Sequence, residues 1–303
     1  MLQSTWLVSN GIKRKKDYCD LNIPTSVNCQ QVCAKAFQLG YKILAINTIV
    51  VARECVATAT GKIGKKRKFE KRDSGTVAAN AITASDNAET GVPRPGEYGW
   101  IDELLEENPG CRILRRLTII FGDVSDLHKV ITHANCALYD VIGVVPVHAD
   151  AVQACLTARH LAFDVISFDL EGPYWMKKVN ISRQKGSMAA DREIYFEITY
   201  SAGLHDESAC ENMIYTAHRL LEDACTKRIK NIIISSGAAK PEELRAPKDM
   251  NAFGFILGLN ETASIQSVRE HPLRIVQNAD SRKHGKTWVT FKPFNQSDPD
   301  VAI

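Results

Sequence analysis

Several short signatures are missing from these 303 residues: Cys-x-x-Cys, His-x-His, His-x-x-x-His, G-x-G-x-x-G, the Walker loop and the G-x-S-x-G elbow. Lacking the first three, the chain has none of the commonest local metal motifs. The missing glycine motifs remove the usual evidence for a dinucleotide or triphosphate site. Without the elbow, a serine nucleophile at Ser235 or Ser236 has no support. No run of 18 apolar residues occurs, so no membrane span is expected. The N-terminal MLQSTWLVSNGIKRKK is too briefly apolar for a secretory signal, and its charges follow the apolar segment instead of preceding it. The nine cysteines are odd in number and scattered, with Cys29 and Cys33 one helical turn apart. They read as buried reduced thiols, which implies a reducing compartment.

What is present is an ordinary globular composition, with 45% hydrophobic residues, a net charge of +3 and a pI near 8.3. A charge this mild does not by itself demand a nucleic-acid partner. Short apolar or alternating runs predict strands at Tyr18–Ile23, Tyr41–Asn47, Arg112–Phe121, Val141–Val145, Val165–Phe168, Glu193–Tyr200 and Ile232–Ile234. Helical periods lie between them. Thr25 or Ser26 is expected to cap the first helix, and Gly40 to end it. Asp123 and Ser125 can cap another, Ala209–Lys227 is the clearest helix, residues 170–190 read as a loop, and a last helix begins near Glu261. Seven strands alternating with helices allow a barrel or an open doubly wound sheet. Residues 53–99 lose all apolar period and read as a disordered insertion. It carries KIGKKRKFEKR at 62–72, seven basic residues in eleven, which suits an import signal, an RNA-binding arm or a solvated charge run. The organisation expected is a flexible basic leader at 1–16, a single α/β domain at 17–286 interrupted by that insertion, and a flexible tail at 287–303.

The chain is organised around Asn231–Leu259, NIIISSGAAKPEELRAPKDMNAFGFILGL. A β-branched strand ends in two serines and Gly237, and a polar loop with two prolines leads into an apolar helix. In barrels and doubly wound sheets, ligands meet that end of a strand. Ser235, Ser236, Ala238, Ala239, Pro241, Arg245, Pro247, Asp249 and Asn251 follow a long spaced pattern that resembles the thirty-kilodalton protein subunit family of ribonuclease P and ribonuclease MRP. CDLNI (19–23), GYKILAIN (40–47), RLTIIFGD (116–123), LYDVIGVVP (138–146) and FEITYSAGLHD (196–206) are similar to other segments of that family. The likeness spans most of 17–283. It implies an incomplete TIM-type (β/α) barrel resembling the polymerase-and-histidinol-phosphatase barrel. It also implies a noncatalytic subunit that works in the nucleus and nucleolus with ribonuclease P RNA, ribonuclease MRP RNA and, through the holoenzyme, precursor tRNA. Its protein partners would include a small ferredoxin-like ribonuclease P subunit.

Hydrolytic relatives of that barrel gather metals with histidines on the first strand, which here reads Asp20-Leu21-Asn22. The eight histidines are dispersed, so no metal, cofactor or catalytic residue is assigned. Asp20, Asp123, Asp169 and Glu197 read as caps and buried hydrogen-bonding groups. RNA contacts are expected from Lys177, Lys178, Arg183 and Lys185 in a loop with Tyr174 and Trp175, which can stack on an unpaired base. Lys240 and Arg245 on the signature loop, and Arg282 and Lys283 at the basic end, are the other candidates. Two alternatives stand beside this reading: an autonomous metal-dependent phosphoesterase on the same barrel, and a protein-only scaffold.

Overall fold

A computed structural model of the chain describes residues 17–59, 91–171, 181–225 and 231–284. Seven strands appear in chain order: β1 (Tyr18–Pro24), β2 (Tyr41–Val51), β3 (Arg112–Phe121), β4 (Val141–Pro146), β5 (Val165–Ser167), β6 (Tyr195–Thr199) and β7 (Ile232–Ser235). They form one parallel sheet in the order β1-β2-β3-β4-β5-β6-β7. Continuous apolar runs such as Ile232–Ile234 need cover on both faces, which helices outside and a filled barrel inside provide. The helices are α1 (Cys29–Leu39), α2 (Ala52–Ala59), α3 (Trp100–Glu107), α4 (Val124–Ile131), α5 (Ala149–Thr157), α6 (Arg183–Asp191), α7 (Ala202–His205), α8 (Glu207–Arg219), α9 (Pro247–Ile256), α10 (Glu261–Ile265) and α11 (His271–His284). No described helix is long and apolar enough to cross a membrane.

The sheet curls until β7 lies beside β1. Among the described residues no ladder joins them, so the barrel is incomplete. The seam is bridged by the Gly237 amide donating to the Asn22 carbonyl at 2.9 Å and the Ser236 amide donating to Asp20 Oδ1 at 3.1 Å. Gly237 makes this turn at φ +64, which a side chain would strain, and a Cβ there would sit 3.0 Å from Ser201 Oγ.

The lower interior of the barrel holds Leu114, Val141, Val165, Tyr195 and Ile233, and Leu273, Ile275 and Val276 of α11 pack against them. The last helix therefore plugs the amino-terminal mouth. Its end is fastened by charge. Asp280 pairs with Arg112 at 2.6 Å. Arg282 holds the buried Asp164 carboxylate and donates to the Asp140 carbonyl at 2.7 Å. Lys283 pairs with Asp140 at 2.5 Å.

Several expectations need correction. Arg183–Asp191 is a helix, not loop. Gly186 there abuts the next backbone so closely that a Cβ would lie 1.8 Å from the Ala224 carbonyl oxygen. Packing, which periodicity cannot see, makes this helix. The insertion is narrower than 53–99, because α2 reaches Ala59 and buries Ala52 and Cys55, while Val92 is also buried in the main core. Residues 1–16, 60–90 and 285–303, which hold the leader, the basic run and the tail, lie outside the described residues. Neither Thr25 nor Ser26 caps α1. Their hydroxyls donate to the Asn47 and Ala239 carbonyls, and Asn28 takes the cap position. The expected helix at Ala209–Lys227 is α8 followed by a π-helical turn at Leu220–Ala224. Gly40 ends α1 in the left-handed region, as expected. All nine cysteines are free thiols and seven are buried.

Replacing Arg282 with Ala removes the partner of a buried carboxylate. Arg282 is itself partly exposed, so the expected loss is about 1–3 kcal/mol at neutral pH. Denaturant melts of the full chain measure it, and an unchanged midpoint would show that the plug is held without this pair.

Candidate functional site

Midway up the barrel, strand alternation sends one polar layer inward. Arg116 of β3 is wholly buried, and so is Glu197 of β6. The guanidinium grips the carboxylate with both forks, Nη1 to Oε1 and Nη2 to Oε2, each at 2.6 Å. Its remaining donors are also used. Nε donates to Thr118 Oγ1 at 3.0 Å, Nη1 to the Leu21 carbonyl at 2.9 Å and Nη2 to Ser167 Oγ at 3.0 Å. Ser167 also donates to Glu197, and Asn22 Nδ2 does so at 3.2 Å. Asn47 links Asn22 to Thr118, at 2.7 Å on each side. Gly143 of β4 leaves room for the cation, since a Cβ there would lie 2.9 Å from Arg116 Nη2. Burial pushes the Glu197 pKa up, but the charge and hydrogen bonds of Arg116, with help from Ser167 and Ser235, outweigh it and hold the group below its ordinary value. All seven strands supply a residue to this layer.

A bulge in β1 between Asp20 and Ile23 shifts the register and sends Asp20 towards the seam. Its Oδ1 accepts from the Asn22 and Ser236 amides, while Oδ2 is buried with no hydrogen bond among the described residues. Burial raises its pKa to about 6. Hydrogen bonds from Ser236 and Asn22 oppose the shift, and Glu197 adds repulsion.

The signature loop covers the seam and is held at four points. Ser236 is bound to β1 as described. Glu243, only 8% exposed, accepts from the Ala239 amide at 2.8 Å and the Lys240 amide at 3.3 Å. The Arg245 amide donates to Tyr200 Oη, and the Arg245 carbonyl accepts from Tyr41 Oη, both at 3.1 Å. His205 at the end of α7 reaches Glu243 at 2.9 Å. The loop presents Lys240 and Arg245 outward, with the Arg245 guanidinium folded over the Glu242 and Leu244 carbonyls.

The RNA-contact candidates read from sequence are not gathered in one place. Lys240 and Arg245 share the signature loop at the carboxyl end of β7. Arg183 is exposed at the start of α6, and Lys185 lies in its first turn with its amine on Gln153. Lys177 and Lys178 lie outside the described residues. Arg282 and Lys283 lie at the opposite end of the barrel, where they are ion-paired to Asp164 and Asp140. Asp123 caps α4, as expected, by accepting from Ser125 N at 2.8 Å. Among the described residues no three His, Cys, Asp or Glu side chains gather as metal ligands do.

Comparison with family models matches residues 17–284 to ribonuclease P subunit p30. The chain belongs to that family. Among curated relatives, ribonuclease P protein subunit p30 of Mus musculus is 27% identical over 251 residues, covering 82% of this chain and 79% of that protein. The probable ribonuclease P protein subunit 3 of Schizosaccharomyces pombe is 26% identical over 185 residues, covering 60% of this chain and 73% of that protein. A chain from a cryo-EM structure of archaeal ribonuclease P with mature tRNA shares the fold, with a TM-score of 0.58 at 11% identity over 93% of this chain and 99% of that one. The seven-stranded barrel of this p30-family chain is thus an incomplete TIM-type barrel.

Sequence reasoning missed Arg116 as the centre of the p30-family barrel. The available signal was the inward pair Arg116 and Thr118 in β3, with Asn47, Ser167, Glu197 and Ser235 as buried polar residues on the other strands. A polar residue at one height in strand after strand marks an internal layer.

Two predictions follow from these carboxylates. Glu197→Gln leaves a buried guanidinium without its counter-charge and is expected to cost about 3–5 kcal/mol in a denaturation series; a loss under about 1 kcal/mol would mean the pair is not central to stability. Asp20 runs the other way. Its folded pKa of about 6 exceeds the 3.8 of the unfolded chain, so its penalty is absent below that lower value and grows as pH rises through about 6. Asp20→Asn is therefore expected to stabilise the protein by about 1–2 kcal/mol at neutral pH, allowing for a new unpartnered N–H, and to lose that advantage by about pH 4. Melting curves from pH 4 to 8 would refute this if the variant were less stable throughout.

Proposed function

We propose that this chain is a noncatalytic protein subunit of ribonuclease P, and of ribonuclease MRP, that binds RNA and docks other protein subunits. In this reading the RNA removes the 5′ leader of precursor tRNA. The protein fixes register through phosphate contacts, and its site of action is the nucleus and nucleolus. The p30 family assignment supports the ribonuclease P part. The observation that carries the noncatalytic part is the Arg116–Glu197 layer. Where a hydrolytic barrel would hold a cation between inward carboxylates, a guanidinium already neutralises the carboxylate and saturates its oxygens. A metal-dependent phosphoesterase reading would need Arg116 to be displaced from a fully buried bidentate pair.

The RNA contacts of this proposal come from separate parts of the chain: Lys177, Lys178, Arg183 and Lys185 in one stretch, Lys240 and Arg245 on the signature loop, and Arg282 and Lys283 at the end of α11. Scattered cations of this kind contact phosphates, which carry little base information, so they set affinity and register without sequence preference. Ribonuclease MRP RNA and a small ferredoxin-like subunit are the further partners proposed.

Holoenzyme reconstitution across a salt series tests this reading. Changing Lys177, Lys178, Arg183 and Lys240 together to Ala is expected to flatten the salt dependence of assembly by about three units of slope, at about 0.7–0.9 per phosphate contact. The precursor-tRNA cleavage position should not move. An unchanged slope with normal assembly would remove these residues from the RNA surface, and phosphodiester cleavage by the isolated chain with added Mn²⁺ or Zn²⁺ would remove the noncatalytic assignment.

A further inference from the structure

His205 and Glu243 form a carboxylate–imidazole pair at the signature loop. Glu243 is nearly buried, and its Oε2 is occupied by the Ala239 and Lys240 amides. Its Oε1 faces His205 Nε2 at 2.9 Å. The His205 side chain is 60% exposed. A fixed carboxylate selects the tautomer with the proton on the nitrogen it touches. Nε2 therefore donates to Glu243, and Nδ1 is the free edge of the ring, with no hydrogen bond among the described residues. In the neutral ring Nδ1 is an acceptor. In the charged ring it becomes an N–H donor. One proton thus converts this edge from repelling a phosphate oxygen to binding one.

We propose that His205, oriented by Glu243, is a phosphate contact for RNA whose strength depends on its protonation. This rests on the RNA-binding reading of the signature loop. The placement supports it. The carboxylate that orients the ring also ties down the backbone of Lys240, so ring and lysine belong to one rigid unit with Arg245 a few residues on. Glu243 is the charged group in contact with the ring; the others nearby in the chain are Lys240, Glu242 and Arg245 on the loop, Asp249 in the first turn of α9, and Asp206 and Glu207 next to His205. Asp206 is committed to capping α8 by accepting from Ala209 N at 2.8 Å. Glu242, Glu207 and Asp249 are exposed anions. They offer a phosphate no attraction, which leaves the cations to hold the ligand.

The test uses the full chain bound to ribonuclease P RNA at fixed salt, between about pH 5.5 and 8.5, the range in which a histidine ordinarily changes charge. The wild type is compared with His205→Gln, whose amide can still donate to Glu243 but cannot gain charge, and with His205→Arg, which stays charged. The wild type is expected to bind about two- to fivefold more tightly at the acid end, the weight of an exposed ion pair. His205→Gln should bind at the weaker level with a flat pH profile, and His205→Arg at the stronger level, also flat. Because the side chain is exposed, all three should share one melting temperature. If His205→Gln keeps the wild-type profile while binding remains steeply salt-dependent, the inference about His205 fails and the RNA-binding reading stands. Binding with no salt dependence in any of the three would overturn both.

Discussion

Taking a guanidinium and a carboxylate out of water costs several kcal/mol per ion even after relaxation, and their attraction repays this only when geometry and hydrogen bonding are nearly complete. Arg116 and Glu197 meet both conditions, with a bidentate contact and every remaining guanidinium fork placed on an oxygen. Those partners come from β1, β3, β5 and β6, while Asn47 of β2 and the bare Cα of Gly143 in β4 complete the surroundings. The pair can be satisfied only when the sheet is curled to one diameter and one register. A register slip of a single residue in any strand would send its polar contribution outward and leave a buried charge short of a partner. The layer therefore selects the closed arrangement over looser alternatives, whatever its net effect on stability.

Above and below that layer the barrel is finished differently. The amino-terminal mouth is sealed by the apolar face of α11, whose end is held by three ion pairs to residues near the starts of β3, β4 and β5. The carboxyl end carries the signature loop, which must close a seam that no ladder closes. There the holding groups are single side chains: Asp20, Tyr41, Tyr200 and Glu243, each bonded to loop backbone. Backbone fixed in this way, with one short 3-10 turn at Pro241–Glu243 between them, keeps Lys240 and Arg245 at defined positions. Asp20 does this at a cost, because its second oxygen has no hydrogen bond among the described residues and burial makes its charge less favourable than that of an exposed carboxylate.

The strands were legible because a barrel strand buried on both faces is an apolar run, and the bounds of β3 coincide with those read from RILRRLTIIF. Three kinds of feature were not. Arg116 has its partner 81 residues away, and no local pattern names Glu197. The α6 helix depends on Gly186 fitting against the carbonyl of Ala224, a contact between segments that periodicity treats separately. Arg282 and Lys283 look like a basic tail in one dimension, and only the fold brings Asp140 and Asp164 to meet them. The signature loop was visible as a long pattern, yet the physical reason for its carboxylates and tyrosines, the open seam, exists only in three dimensions.

Charge bookkeeping then bears on how such a protein can hold RNA. Among the described residues Arg112, Arg116, Arg219, Arg282 and Lys283 are in ion pairs, and Arg192 is turned onto the carbonyls of Cys155, Leu156 and Leu161. These cations are therefore committed within the fold and are not open, unpaired charges for a polyanion. Two or three cations on a loop neutralise two or three phosphates, for a salt slope of about two and a weak free-standing affinity. On the RNA-binding reading, occupancy must therefore come from linkage to other contacts in an assembly, where a second tethered site can raise effective affinity by about 10²–10⁴. In that regime a few cations at fixed positions are more useful than a broad flexible patch, because little ordering entropy remains to be lost on docking. The many bonds that hold the signature loop are what such a use requires.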